Sequence, residues 1–551
     1  MPTLQWVGKD KVVNHHHDVP LRLLKREYTF TAKDSTPANS TGNRIVHGDN
    51  LEVLKSLLPE FEGKVNCIYI DPPYNTGNES WVYNDNVNDP KIKKWLGQVV
   101  GKEGEDLSRH DKWLCMMYPR LKLLHRLLAH DGVMLMSLDS NEHRYAEVML
   151  DEIFGAPNRI ETVVWKKSYG GGSKAKHIVN LHEYVICFAK DKSKIGVIEL
   201  PPSDEVLKYY KFKDSKFDLR GPYRLQPLAT NSMDERPNLR YPIVHKGEEI
   251  WPEKQWQWSS ERVLSAYAND EIDVKKIKGR WSVNYKQYLR DEDGEDRGSK
   301  LYSIVDSVYT QHGTNEVKLM FGDGKTFDFP KPSDLIAKFL QGFTESDSLV
   351  LDSFAGSGTT AHAVLKLNAQ DGGNRRFILC EMMDYAETIT AERVRRVING
   401  YGEGSKAVPG TGGGFDFYTV GPALFNADKT LNEDVGEAAI RHYVAYTENI
   451  PAAARCVHLQ GTDAAHIAQQ VTPHALGVTD TALWVFYYEQ QRVTTLDLDF
   501  LGTLNIKALL QAGKPRPTQF VVYADKCALD HDFLRQYSIT FKRIPRDITR
   551  F

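Results

Sequence analysis

The chain has 551 residues, of which 41% are hydrophobic and 26% charged, with a formal net charge of −3. That balance excludes a disordered chain or a single long coiled coil, and roughly 150 residues per domain predicts about three domains. No stretch approaches 18 uninterrupted apolar residues, so no ordinary transmembrane helix is expected. The first twenty residues lack a charged-then-apolar signal pattern. Six cysteines without CxxC or zinc-type spacing predict neither a disulfide scaffold nor a cysteine metal site. A reducing cytoplasm is the expected setting.

In chain order, residues 1–43 show no clear period and end in a polar run, so they read as an arm. Over 44–189, short apolar runs alternate with helical patterns. RIVHGD (44–49), VNCIYID (65–71) and GVMLMSLD (132–139) predict strands. LEVLKSLL (51–58), WLCMMYPRLKLLHRLLA (113–129) and NEHRYAEVMLDEIFG (141–155) predict helices. Residues 190–328 break the pattern and are rich in Pro, Trp, Tyr and charge, which predicts an irregular insertion. Alternation resumes over 329–419 with LVLDSF, TTAHAVLKLNA, RRFILCE and AETITAERVRRVI. A glycine-rich joint, GTGGGFDF, leads to a smaller α/β segment, 420–551, with strands expected at ALWVFYY and QFVVYAD. The predicted class is therefore α/β: a doubly wound, Rossmann-like parallel sheet split by an inserted domain.

Charge is uneven along the chain. From Arg159 to Lys194 there are eight Lys/Arg against three Asp/Glu, and from Lys208 to Lys246 nine against four. Each stretch carries +5, which suits either a phosphate-contacting surface or a solvated face.

Three motifs carry chemistry. In VNCIYIDPPYNTG (65–77) an apolar strand ends at Asp71 and runs into Pro72, Pro73 and Tyr74. Ligands of open α/β sheets sit beyond the carboxyl ends of the strands. Two prolines remove two backbone donors, leaving the Asp71 carboxylate and the Pro72 carbonyl as acceptors beside the flat face of Tyr74. That set suits an exocyclic amino group on a planar heterocycle. In LVLDSFAGSGTT (349–360) a strand enters a glycine-rich turn and then a helix. Gly356 and Gly358 permit a tight turn and a close ligand approach. No GK[ST] follows, so this is not a P-loop. Glu381 closes the next strand, where a ribose diol is commonly held. In RIVHGDN, Asp49 either points into the same cleft or caps the following helix.

DPPYNTG, FAGSGTT and the strand-ending Glu381 resemble the motifs of S-adenosylmethionine-dependent DNA amino-methyltransferases. The order, with DPPY about 280 residues ahead of the glycine loop, is that of their β class. The resemblance extends through HGDN, WLCMMYPRL, GVMLMSLDSNE, RPNLRYPI and FPKPSDLI, over residues 40–420. It points most closely to modification subunits of type III restriction systems and their solitary relatives, whose tails FKRIPRDITRF also resembles.

The resemblance implies a Rossmann-like methyltransferase fold and S-adenosylmethionine as cofactor. Phe354 is implied to pack on the cofactor, Gly356 and Gly358 to admit it, Asp352 to meet its ammonium, and Glu381 to bind its ribose. Asp49 is implied to lie near its adenine, with Asp71, Lys331 and Pro332 bordering the same pocket. Asp71, Pro72, Pro73 and Tyr74 are implied to hold a base flipped out of double-stranded DNA. The leading asparate of the motif favours adenine N6, with cytosine N4 as the alternative and a silent DNA-binding regulator as a further one. Methylation at carbon-5 of cytosine normally needs a cysteine after proline, and none of the six cysteines follows one.

The insertion is implied to be a target-recognition domain, with Arg220, Arg224, Arg236 and Arg240 as candidates for DNA contact. Trp251, Trp256 and Trp258 are expected to form a local core. The run His15–His17 has no ligand spacing around it, and no metal is expected. A homodimer is expected from the aromatic run ALWVFYY and from family habit. A restriction subunit is a further possible partner, a membrane is not, and the bacterial nucleoid is the expected location.

Overall fold

The computed structural model describes residues 3–32, 42–76, 94, 97, 109–170, 176–202, 204–231, 234–324, 326–426, 428, 430–451, 454–456, 463–490 and 492–544. Most of the polar run before Asn43, Gly77 of the DPPYNTG motif and residues 545–551 of the tail lie outside these. Two compact units divide the chain. One comprises Met1–Gly196 with Tyr302–Phe551, the other Val197–Leu301.

Among its described residues the first unit carries a ten-stranded sheet. The strands are β1 (Arg22–Thr31), β2 (Arg44–His47), β3 (Val65–Ile70), β4 (Leu128–Leu138), β5 (Arg159–Lys166), β6 (His182–Ala189), β7 (Ile304–Val305), β8 (Leu349–Asp352), β9 (Arg376–Glu381) and β10 (Gly414–Ala423). Their spatial order is β1-β10-β2-β9-β8-β3-β4-β6-β5-β7. From β10 to β4 all neighbours are parallel. β1 joins β10, β6 joins β4 and β5 joins β6 antiparallel, and β7 adds parallel to β5. The sheet is thus mixed at both margins around the expected parallel centre.

The central strands are buried almost residue by residue: all four residues of β8, and all but one of β3 and of β9. Near-continuous apolar strands are what a sheet covered on both faces requires. The covering helices are α1 (Asn50–Phe61), α2 (Arg109–Leu127), α3 (His143–Leu150), α4 (Thr310–Phe321), α5 (Ser333–Phe343), α6 (Thr359–Asp371) and α7 (Glu392–Asn399). In α2, Trp113, Leu114, Met117, Leu121 and Leu124 recur at helical spacing and all are buried.

Several local expectations change. Arg22–Thr31, read as part of an arm, is an edge strand, and the glycine-rich joint continues into its partner β10, with Thr31 opposite Gly414. Neither has a strong period of its own, because the pairing joins segments nearly four hundred residues apart. Leu128 and Ala129, read as the end of a helix, open β4. The pattern over 141–155 divides into α3 and a π-helical turn, Asp151–Gly155.

The C-terminal segment forms a four-stranded sheet in the order Ala475–Val478, Ala482–Phe486, Gln519–Ala524, Ile539–Arg543. Its first pair is antiparallel and the rest parallel. Phe486, Tyr523, Tyr443 and Val444 share one buried cluster with Leu54, Leu57 and Leu58 of α1. The aromatic run ALWVFYY is therefore spent on core within its own chain.

The second unit is built around an antiparallel sheet of Ile272–Ile277, Arg280–Tyr288 and Tyr223–Pro227. Leu228, Ile243, Ile250, Trp256, Val263 and Val283 form its core. Trp258 packs partly against that core, whereas Trp251 is 54% exposed and lies outside it.

Candidate active site

Four acidic residues stand at the carboxyl ends of four adjacent parallel strands. Asp49 follows β2, Glu381 ends β9, Asp352 ends β8 and Asp71 follows β3. Strand alternation and turn chemistry place each one, and the parallel register brings them to one edge of the sheet.

The glycine loop after β8 is tightly held. Gly356 and Gly358 have φ of 53° and 83°, the left-handed region that glycine enters without a Cβ penalty. A Cβ on Gly358 would lie 3.0 Å from the Thr390 carbonyl oxygen. Glu381 accepts the N–H of Gly356 at 2.8 Å and that of Met383 at 2.9 Å. Asp352 accepts the Phe354 N–H (2.9 Å) and the Thr360 hydroxyl (2.5 Å). Burial pushes both carboxyls up, each to about 7, against these hydrogen bonds. Ser353 Oγ is buried with no hydrogen-bond partner among the described residues.

Behind the loop, Arg393 of α7 is fully buried. Its guanidinium donates to Ser357 Oγ (2.8 Å), Thr359 Oγ1 (2.9 Å) and Glu316 Oε2 (2.9 Å). Asp49 caps α1, accepting the Leu51 N–H at 2.8 Å, and lies 3.5 Å from Arg120. Asn50 donates to the Ser353 carbonyl at 3.0 Å, tying the turn after β2 to the turn after β8.

The Asp71-Pro72-Pro73-Tyr74 turn is fixed from three sides. Trp113 Nε1 donates to the Pro73 carbonyl at 2.7 Å. Lys331 Nζ lies 2.9 Å from both Asp71 oxygens and 2.7 Å from Tyr74 Oη. Tyr74 Oη in turn donates to Glu183 Oε2 at 2.9 Å, and Lys167 donates to Glu183 Oε1 at 3.0 Å. Burial pushes the Asp71 carboxyl up, and Lys331 opposes it. Burial also acts on Glu183, but Lys331 and Lys167 outweigh it and hold that carboxyl below its usual range.

Two hollows meet at Lys331. A narrow slot is lined by Asp71, Phe327, Asp352, Phe354, Gly356 and Thr360 among others. A cavity of about 570 Å³ is lined by Tyr74, Trp165, Lys167, Glu183, Tyr309 and Lys331 among others. Of the candidate site residues, Asp71, Tyr74, Lys331, Asp352, Phe354 and Gly356 line these hollows, whereas Asp49 and Glu381 stand at the ends of neighbouring strands, and Pro332 and Gly358 hold the N-cap positions of α5 and α6.

The four candidate arginines lie in the second unit and separate from one another in character. Arg220 is 7% exposed, pairs with Glu271 at 2.6 Å and lies over the Tyr288 ring at 4.3 Å. Its guanidinium is held inside its unit. Arg224 is half-buried and donates to Gln287 at 2.8 Å. Arg236 and Arg240 are exposed. The basic stretch around them is balanced elsewhere in the unit, since Val197–Leu301 holds nineteen Lys/Arg and nineteen Asp/Glu. Positive charge concentrates instead at the tip of the hairpin, where Lys275, Lys276, Lys278 and Arg280 are all exposed. Sequence reasoning missed this tip, although KKIKGR was visible as a charge run at a turn. It also missed Glu183, Trp113 and Arg393, each of which reaches the site through long-range packing.

An α/β sheet that gathers DPPY, a glycine loop and a strand-ending glutamate at one edge defines a methyltransferase-type site. The DNA methylase family, that of N6 and N4 methyltransferases, matches residues 65–392, and the chain belongs to it. The Mod subunit of the type III restriction-modification enzyme StyLTI from Salmonella typhimurium is 33% identical, over 61% of this chain and 52% of its own length. The EcoPI Mod subunit from Escherichia phage P1 is 31% identical, over 74% and 66%. The type II methyltransferase M.KpnI of Klebsiella pneumoniae is 31% identical, over 63% and 82%. The chain thus spans about half the length of the first of these relatives. Among the described residues, no helix is long and apolar enough to cross a membrane.

Proposed function

We propose that the chain transfers a methyl group from S-adenosylmethionine to N6 of an adenine flipped out of double-stranded DNA. The observation that carries this reading is the convergence of Asp71, Tyr74 and Asp352 on two adjoining hollows, with Glu381 ending the adjacent strand at the same sheet edge.

The residues of the narrow slot fit the cofactor. At Gly358 the φ of 83° favours glycine, and a Cβ would lie 3.0 Å from the Thr390 carbonyl oxygen. Asp352 is a buried carboxyl that lines this slot, Glu381 is a buried carboxyl that accepts the N–H of the slot residue Gly356, and Ser353 Oγ has no hydrogen-bond partner among the described residues. Asp352 would receive an ammonium, Glu381 a ribose diol, and Phe354 an apolar face. When bound, S-adenosylmethionine supplies an electrophilic methyl group.

The chain's own residues do the rest by position. The base amino group is a poor nucleophile because its lone pair is delocalised into the ring. Acceptors at Asp71 Oδ and the Pro72 carbonyl favour a pyramidal nitrogen and stabilise the positive charge that develops on it. Tyr74 presents an aromatic face beside them, and a fixed in-line geometry supplies much of the rate. The proton leaves after transfer, since a carboxylate is too weak to remove it from a neutral amine.

The leading aspartate supports adenine over cytosine N4, and nucleoside mass spectrometry of methylated DNA separates the two. The second unit is proposed to recognise the target, supported by the exposed Arg236 and Arg240 and by the hairpin tip. Pairing of two copies and a restriction subunit rest on the family resemblance alone, as does a place in the bacterial cytoplasm. Asp71→Ala is expected to abolish transfer of tritiated methyl to unmethylated bacterial DNA, by at least about a hundredfold. Cofactor affinity should change little, and retained turnover would reject the proposed role of Asp71.

A further inference from the structure

We propose that Lys331 is a positioning residue of this site: its ammonium locks the Asp71 carboxylate and the Tyr74 hydroxyl into one fixed unit, with Glu183 as the second counter-ion. The inference rests on the methyl-transfer reading above and assigns the lysine to the base side of the site.

A lysine ammonium has three donors and no acceptor. Here its neighbours are the two Asp71 oxygens, each at 2.9 Å, and Tyr74 Oη at 2.7 Å. Its whole donor capacity goes to two residues of the DPPY turn. The same nitrogen lies 4.7 Å from the centroid of the Tyr74 ring. Tyr74 Oη accepts from Lys331 and donates to Glu183, so both functions of the hydroxyl are fixed. Glu183 Oε2 is 3.6 Å from Lys331, and its other oxygen takes Lys167. Asp71, Lys331, Glu183 and Lys167 thus make a chain of two anions and two cations. Such a chain satisfies the demand that buried charges be paired.

The backbone that delivers Lys331 is itself pinned. The residue stands between Pro330 and Pro332, whose rings restrict φ. A Cβ on Gly313 of α4 would lie 2.2 Å from the Pro330 carbonyl oxygen, so only glycine lets this helix pack there. Two residues after Lys331, the Ser333 hydroxyl donates to Glu316 of α4 at 2.6 Å. The lysine side chain is 6% exposed.

A carboxylate offers about four lone-pair sites, and Lys331 engages one on each oxygen. The others remain for the amino group of the base. The terminal torsion of an aspartate is broad, so a free Asp71 would sample many orientations. Acceptors already aimed at the developing charge are what lower the barrier.

The test uses the full chain, saturating S-adenosylmethionine, and unmethylated bacterial genomic DNA as methyl acceptor. Lys331→Met should lower kcat by about a hundredfold, with cofactor affinity in calorimetry within about threefold of the parent. Lys331→Arg should recover part of that loss. The pH profile separates positioning from a merely structural role. The ionisable groups acting on Asp71 are Lys331, Glu183 and Tyr74, with Tyr69 and Asp352 nearby. Removing the cation should move the acid limb of kcat to higher pH. Glu183→Gln removes an anion and should move it to lower pH.

Opposite shifts support the proposal. An unchanged kcat in Lys331→Met, or a loss of cofactor affinity that matches the loss of kcat, overturns it. If Lys331→Met does not fold, Glu183→Gln decides, and an unmoved acid limb overturns the proposal. A parent chain that methylates no DNA refutes the underlying reading and the proposal with it, whereas an active parent with indifferent variants refutes the proposal alone.

Discussion

Arg393 offers a direct energetic test of how the glycine loop is held. The guanidinium has no solvent exposure and joins Glu316 on α4 to Ser357 on the loop and Thr359 at the start of α6. Arg393→Met keeps much of the length and removes the charge. Glu316 is left without its cation, although it retains the Ser333 N–H and hydroxyl and is 17% exposed. Breaking a buried pair from one side costs about 3–5 kcal/mol. The remaining partners and partial hydration of Glu316 place this case near the lower end, about 3 kcal/mol. The first unit holds about 450 residues. At about 2 cal/mol/K per residue its unfolding entropy is about 1 kcal/mol/K, so the expected fall in Tm is about 3 °C. Scanning fluorimetry reads that shift, and calorimetry should show weakened binding of S-adenosylmethionine as the loop loses its anchor. Adding Glu316→Leu should restore at least about half of the lost stability, because an apolar pair can replace a buried ionic one. A shift below about 1 °C, or a double variant no better than the single one, would refute the reasoning.

Three further outcomes are expected. Gly358→Val should eliminate cofactor binding in calorimetry, because it combines φ of 83° with a Cβ only 3.0 Å from the Thr390 carbonyl; normal affinity would contradict the assigned close packing. Burial raises Asp352 and Glu381 to about 7, above their ordinary values of 3.8 and 4.5. The folded chain therefore binds more protons between those limits, and the contribution of these groups to stability falls as pH rises from about 4 to 7. Glu381→Gln should flatten that decline in melts taken across the range, while S-adenosylmethionine affinity should rise from pH 6 to 8 as Asp352 ionises; a steeper decline or a falling affinity would reject the signs. Finally, Lys278→Ala with Arg280→Ala should reduce the slope of log affinity against log salt by about 2 on duplex DNA. An unaltered slope in filter binding would exclude the hairpin tip from phosphate contact.

Much of the site is legible in the sequence because its signals are local. A buried strand ending in Asp71-Pro72-Pro73-Tyr74, a glycine turn between strand and helix, and Glu381 closing the next strand are matters of period and turn chemistry. The parallel rule then sends all of them to one sheet edge. What the sequence withholds is partnership. Nothing in the spacing says that Lys331 meets Asp71 across 260 positions, or that Glu183 reaches Tyr74 through the antiparallel pairing of β4 with β6. Arg220 and Arg236 look alike as sequence, yet one is buried against Glu271 and the other exposed. Arg22–Thr31 becomes a strand only because β10 supplies its hydrogen bonds. Residue type and local period specify what a segment can do. Long-range packing decides which groups are desolvated and which charge lies opposite each one, and that arrangement sets the chemistry of Asp71, Tyr74 and Lys331.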